Sequence, residues 1–128
     1  NRFATLEVLP SSAIVSKNGL EISNEAFTLF NEIIEGYEYH LSVTANVGTS
    51  ALNFYGNDGL LKTLKLEEGL NEHDVTFSLR ALDTGSMALV VSNNGKKHVI
   101  DTKAVNKICI SAQEGSCVLH FCRVSKQP

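Results

Sequence analysis

The stretch YEYHLSVTANV, residues 37–47, alternates without a break: Tyr37, Tyr39, Leu41, Val43, Ala45 and Val47 fall on one side and Glu38, His40, Ser42, Thr44 and Asn46 on the other. A period of two puts each set on its own face of an extended chain, so the segment is a strand with one face toward a core and one toward water. A helix would scatter the same residues around its circumference. The strand commits the molecule to a sheet, and a sheet with one apolar face must bury it against a second layer.

The same device recurs in VTFSLRA, where Val75, Phe77, Leu79 and Ala81 oppose Thr76, Ser78 and Arg80. Further strands are predicted over about 3–9, 51–55, 60–66, 87–92, 98–101, 105–111 and 116–124. Glycine-bearing turns punctuate them at Asn57-Asp58-Gly59, Glu67-Glu68-Gly69, Asn93-Asn94-Gly95 and Glu114-Gly115. SNEAFTLFNEIIE fits two periods: Phe27, Phe30 and Ile34 would share a helical face, whereas Phe27 and Leu29 alternate as in a strand, and the strand is preferred. Short strands without an intervening helical rhythm predict an all-β fold, a sandwich or barrel of antiparallel sheets. At 128 residues the expectation is a single domain over 1–128.

Hydrophobic residues at 43% and charged residues at 20% exclude a disordered tail. With 14 acidic against 11 basic residues the net charge is −3, so no overall field attracts nucleic acid. Lys96, Lys97, Lys103 and Lys107 read as a solvated loop and edge. No apolar run reaches the roughly 18 residues of a membrane-spanning helix, and no membrane partner is expected.

The tetrapeptide Asp83-Thr84-Gly85-Ser86 has the form in which an aspartic protease presents its carboxylate. That chemistry needs two such Asp side chains sharing a proton, which one short chain supplies only as a homodimer. The retroviral protease family resembles this arrangement, but the 43 residues after Gly85 lack that family's later apolar segment and helix. The tetrapeptide therefore reads as a β-turn between strands, and hydrolysis through Asp83 stays a remote alternative. Gly-x-Ser-x-Gly, a phosphate loop and His-Glu-x-x-His are all missing, so no enzyme class, cofactor or metal is called for.

KICISAQEGSCVLHFCRV reads as a hairpin turning at Ala112 to Gly115. Pairing Ser111 with Ser116 puts Cys109 and Cys117 on opposite faces, and leaves Cys109 and Cys122 roughly 13 Å apart along the strands, beyond disulfide reach. Three unbridged thiols suit assembly in a reducing cytoplasm. In this register Cys109, Val118, His120, Cys122 and Val124 share one face, while Ile108, Ile110, Cys117, Leu119 and Phe121 fill the other. Cys109, His120 and Cys122 are residue types that bind zinc, but without a paired Cys-x-x-Cys they read as packing. A hairpin apolar on both faces is central in the fold or covered by a partner, which makes the Cys109 face a candidate interface.

From Glu35 onward the order EGYEYHLSVTA, ALNFYG, LKTLKLEEG, HDVTFSL, MALVVSNNG and VIDTKAVNKICIS resembles the jelly-roll modules related to carbohydrate-binding and galactose-binding-like domains. The resemblance covers roughly residues 35–111 and implies a jelly-roll-like antiparallel β-sandwich. It also implies two uses: glycan binding, and service as an accessory domain of virus and bacteriophage particles. Sugar sites need exposed aromatic platforms, and with no Trp in the chain and Tyr37 and Tyr39 facing inward, Tyr55 beside Asn57 and Asp58 is the candidate ligand site. The leading expectation is a non-catalytic structural or accessory subunit, most concretely a head or tail decoration of a phage virion, whose partners are other subunits or copies of itself. The alternative is a carbohydrate-binding module.

Overall fold

The structure, a computed structural model, describes residues 12–69, 72–101 and 105–127. The strand predicted over 3–9 lies outside them. Eleven strands occur in the described residues: β1 Ile14–Ser16, β2 Gly19–Ser23, β3 Ala26–Phe30, β4 Tyr37–Val47, β5 Ser50–Gly56, β6 Gly59–Leu66, β7 His73–Ala81, β8 Met87–Asn93, β9 Lys96–Asp101, β10 Lys107–Ala112 and β11 Ser116–Lys126. They form a seven-stranded sheet, β1-β2-β11-β4-β7-β8-β9, and a four-stranded sheet, β3-β10-β5-β6. Every pairing is antiparallel. The protein is an all-β antiparallel sandwich of the jelly-roll-like kind, its chain passing repeatedly from one sheet to the other.

Those passages follow one rule. β2 continues into β3, β4 into β5, and β10 into β11, each time leaving one sheet and entering the other within two or three residues. Because β2, β11 and β4 are neighbours in one sheet and β3, β10 and β5 in the other, the three passages lie side by side. Together they make a three-stranded ribbon folded over along a single line. Backbone bonds tie the corners laterally: Asn24 N–H donates to Gly115 O at 2.9 Å, Ala112 N–H to Glu25 O at 3.1 Å, and Gln113 N–H to Thr49 O at 3.1 Å.

The crowding at this fold line explains two glycines. Gly48 sits at φ 78° with the Glu114 carbonyl oxygen 2.2 Å from where a Cβ would stand, and a Cβ on Gly115 would lie 1.6 Å from the Val47 carbonyl oxygen. Two backbones cross there with no room for a side chain. Asn24, the corner residue of the first passage, takes φ 48°, a left-handed conformation that Asn tolerates better than most residues.

The inward rows meet between the sheets. Tyr39, Leu41, Val43 and Ala45 of β4 and Val75, Phe77 and Leu79 of β7 are buried, as their alternation predicts, while Val47 is exposed at the corner. Phe77 is the hub: its ring stacks on Tyr39 at 5.3 Å and meets Phe30 at 5.7 Å and Phe54 at 6.0 Å edge-on, joining both sheets. The ambiguous segment becomes β3 because Leu29 and Phe30 are needed against this cluster. The hairpin β8–β9 closes through Asn94 and Gly95, both at positive φ (51° and 86°), as a two-residue turn matching strand twist requires.

The hairpin predicted between Cys109 and Cys122 is overturned. β10 pairs with β3 and β5 in one sheet and β11 with β2 and β4 in the other, so AQEG is a corner between sheets and not a turn within one. Both of its strands are central, which is why they are apolar.

Gly115→Ala is expected to destabilise the domain by more than about 3 kcal/mol in urea unfolding, since backbone itself must shift. Gly85→Ala, at φ 87° with open space around it, should cost only about 1 kcal/mol. Phe77→Ala should cost about 3–5 kcal/mol through the cavity left between the sheets.

Candidate ligand-binding face

The outward rows of the four-stranded sheet follow from its register. Ile108, Ile110, Leu52 and Phe54 point inward, so Cys109, Ser111, Asn53 and Tyr55 point out. Asn53 stands opposite Cys109 on one side and Thr63 on the other, and Tyr55 stands between Lys107 and Leu60. A register shift after Phe54 accompanies the turn at Asn57-Asp58.

Side-chain contacts hold this face in place. Thr63 Oγ1 donates to Asn53 Oδ1 at 2.8 Å, Asn53 Nδ2 donates to Ser111 Oγ at 3.4 Å, and the Thr28 hydroxyl and Cys109 thiol lie 3.7 Å apart. The Lys107 ammonium sits 5.6 Å from the Tyr55 ring centroid. Asn106 N–H donates to Tyr55 O at 2.8 Å, and Asn106 Nδ2 bonds Asn57 Oδ1, tying the turn to the start of β10. Tyr55 is half-buried, and Asn57, Asp58 and Leu60 are exposed. The result is a ring with one apolar neighbour and one cation, next to an oriented row of amide and hydroxyl groups.

The sequence-predicted ligand residues Tyr55, Asn57 and Asp58 thus come together at one end of a sheet. Asn53, Thr63, Asn106 and Lys107 lie on the same surface and are not singled out by the sequence. Asn53 could have been found, since it shares the outward parity of Tyr55; Thr63 and Lys107 enter only through cross-strand register.

The five predicted interface residues do not share a face. Cys109 lies on the outer side of the four-stranded sheet, near the Tyr55 surface. Val118 and His120 lie on the outer side of the other sheet, Cys122 is in the core, and Val124, past a register shift between Leu119 and Phe121, lies opposite the inward-facing Tyr39 at an exposed strand end. Cys109, His120 and Cys122 therefore cannot converge on a metal. His120 is a structural residue: Nδ1–H donates to Asn18 O at 2.8 Å and Nε2 lies 2.8 Å from Thr44 Oγ1.

Asp83 is exposed on the β7–β8 turn, where Leu82 N–H donates to Ser86 O at 2.8 Å and Gly85 N–H to Leu82 O at 2.9 Å. It belongs to a hairpin loop and not to a cleft, as the turn reading expects.

None of the three cysteines is disulfide-bonded. Cys109 lies on the outer side of the four-stranded sheet, whereas Cys117 and Cys122 are in the core five residues apart along β11, so the separation does not rest on the hairpin register used to predict it.

No protein-family model matches the chain, and no curated protein matches it. Among solved structures it is similar to ancestral congerin Con-anc, with a TM-score of 0.48 and 14% identity over 84% of this chain and 100% of that one. A single mutant of congerin II gives 0.47 and 12% over 82% and 98%, and Caenorhabditis elegans galectin LEC-6 gives 0.47 and 14% over 82% and 95%.

Burial pushes the Cys117 thiol from 9.0 to about 11, partly offset by the Ser50 hydroxyl beside it. Between those values the unfolded chain releases a proton that the native state keeps, so this contribution is full below pH 9 and is lost as pH rises toward 11. Tyr39, raised by burial, acts in the same sense. Urea unfolding from pH 8 to 11 should show stability falling by about 2 kcal/mol on account of Cys117, and the fall should be shallower in Cys117→Ala.

Proposed function

We propose that the chain is a carbohydrate-binding domain, a binding module and not an enzyme, whose ligand lies on the outer face of the four-stranded sheet at Tyr55. The observation that carries this is the juxtaposition of the Tyr55 ring with the Asn53–Thr63 row, two positions along the same face. A pyranose has an apolar face and a rim of hydroxyls. The ring and Leu60 suit the first, and the amide, the hydroxyl and the Lys107 ammonium suit the second. Asn53 is already oriented by Thr63 and Ser111, which lowers the ordering cost of binding.

The reading as a virion accessory subunit loses one of its grounds. That ground was a hairpin with a spare apolar face, and the fold divides that hairpin between two sheets, with Cys122 in the core and Cys109 and Val118 on the outer sides of different sheets. Contact of the outer faces with other subunits is a separate proposal about where such a module acts.

A glycan array probed with the labelled chain, followed by calorimetry on the best hit, tests the proposal. Tyr55→Ala should weaken binding by about tenfold or more while leaving the melting temperature nearly unchanged, because the ring contributes little to the core. An array without a hit, or equal binding by Tyr55→Ala, overturns it.

A further inference from the structure

The outer face of the seven-stranded sheet, on the opposite side of the sandwich, carries an open groove of about 430 Å³ that the Tyr55 site does not use. We propose that this groove is a second binding site, for a carboxylate-bearing sugar of the uronic-acid class.

The argument begins with register. Thr76 of β7 stands opposite Ser92 of β8, and Ser92 opposite Lys97 of β9; two residues along, Ser78 stands opposite Val90. Arg80 follows two residues further on the same face, and Glu38 enters from β4, adjacent to the Tyr39–Phe77 pair. All of these line the groove. Small residues form its floor and long charged ones its rim, so the concavity is a consequence of side-chain size on a regular sheet.

Charge then selects the ligand. The rim carries two cations, Arg80 and Lys97, against one carboxylate, Glu38. Among the described residues neither cation has a carboxylate within ion-pair distance, whereas His40 pairs with Asp74 and His120 lies 3.9 Å from Glu72. Arg80 is oriented all the same: its Nε–H donates to Ser78 Oγ at 3.2 Å, which lays the guanidinium over the groove and leaves its terminal amino groups for a ligand carboxylate. A planar fork presented this way matches a carboxylate bidentately.

The remaining groups distinguish an acidic sugar from a bare anion. Glu38 repels a second negative group near it but accepts hydrogen bonds from hydroxyls, and Thr76 and Ser92 exchange them. Val90 offers an apolar spot for a ring face. A volume of this size holds one or two sugar residues, far more than an inorganic anion needs. Arg80 and Lys97 stand four residues apart along the strand direction, or roughly 14 Å of backbone, so the ligand is an extended one with its charge at the Arg80 end or at both ends.

The test uses the full chain with three probes: a galacturonic-acid disaccharide, a neutral galactose disaccharide and inorganic sulfate. Amide shifts are mapped by NMR and affinities measured at low and high salt. The acidic disaccharide should move amides of residues 76–80, 90–92 and 97 and bind more weakly as salt rises. Arg80→Gln and Lys97→Gln should each weaken it by about tenfold, the loss of a charge-assisted contact. Arg80→Lys should fail to restore full affinity, and Tyr55→Ala should leave this binding unchanged. Both cations are exposed, so unchanged melting curves verify that the variants fold. Equal binding of the neutral probe, sulfate binding as tight as the saccharide, or shifts confined to β5 and β6 would each overturn the proposal. The last outcome would return acidic sugars to the Tyr55 site and leave that reading standing.

Discussion

Two backbones cross without side chains where Gly48 meets Gly115, and the sandwich is organised around that crossing. The passage from β10 to β11 runs between the passages from β2 to β3 and from β4 to β5, bonded to both by main-chain hydrogen bonds. If the three corners were not flush, the ribbon could not fold over in register, and the neighbours of β11 in one sheet would not lead into the neighbours of β10 in the other. A side chain at either glycine would push the corners apart, with carbonyl oxygens as the opposing atoms. Polar backbone at a crowded corner has to be paired as well as packed, and the lateral bonds do both.

Folding the ribbon over brings its apolar rows face to face, and the aromatic cluster forms where they meet. Phe30 and Phe54 arrive from one sheet and Tyr39 and Phe77 from the other. The Tyr39 hydroxyl, carried into this apolar setting, accepts a bond from Ile34 N–H at 2.8 Å, which satisfies it and ties down the loop before β4. A closed core then leaves two outer faces of different character. The narrower presents one ring beside a fixed amide and hydroxyl row. The broader presents a groove with cations on its rim and, toward β11, the His40–Phe121 contact at 4.8 Å capped by Arg123 4.2 Å from the Phe121 ring. These outer faces are the surfaces open to a ligand, because the inner faces are spent on stability.

The parity of β4 and β7 was plain in the residues, and with it the outward set Glu38, His40, Ser42 and Thr44, since a half-buried strand displays its facing directly. β1 and β2 are not legible in the sequence. In β1 both Ile14 and Val15 are exposed, so its residues carry no alternation to detect. Sequence and structure diverge most at AQEG, between two apolar runs. A hairpin turn and a corner between sheets need the same small and polar residues, and only the partners of each strand tell them apart. Reading a hairpin placed Cys109, His120 and Cys122 together, whereas the chain sends them to three different environments.

What the sequence determined alone is local: which segments extend, which side of each strand is apolar, and where the backbone must take positive φ. Those properties follow from side chains within a few residues of one another. The tertiary structure decided which strands are neighbours, and therefore that Tyr55 meets Lys107 and Asn53 meets Thr63, and that Arg80 and Lys97 share a groove. Pairing joins residues far apart in the chain through hydrogen bonds that every backbone offers equally. Its choice rests on the shape of the whole core and not on any one segment.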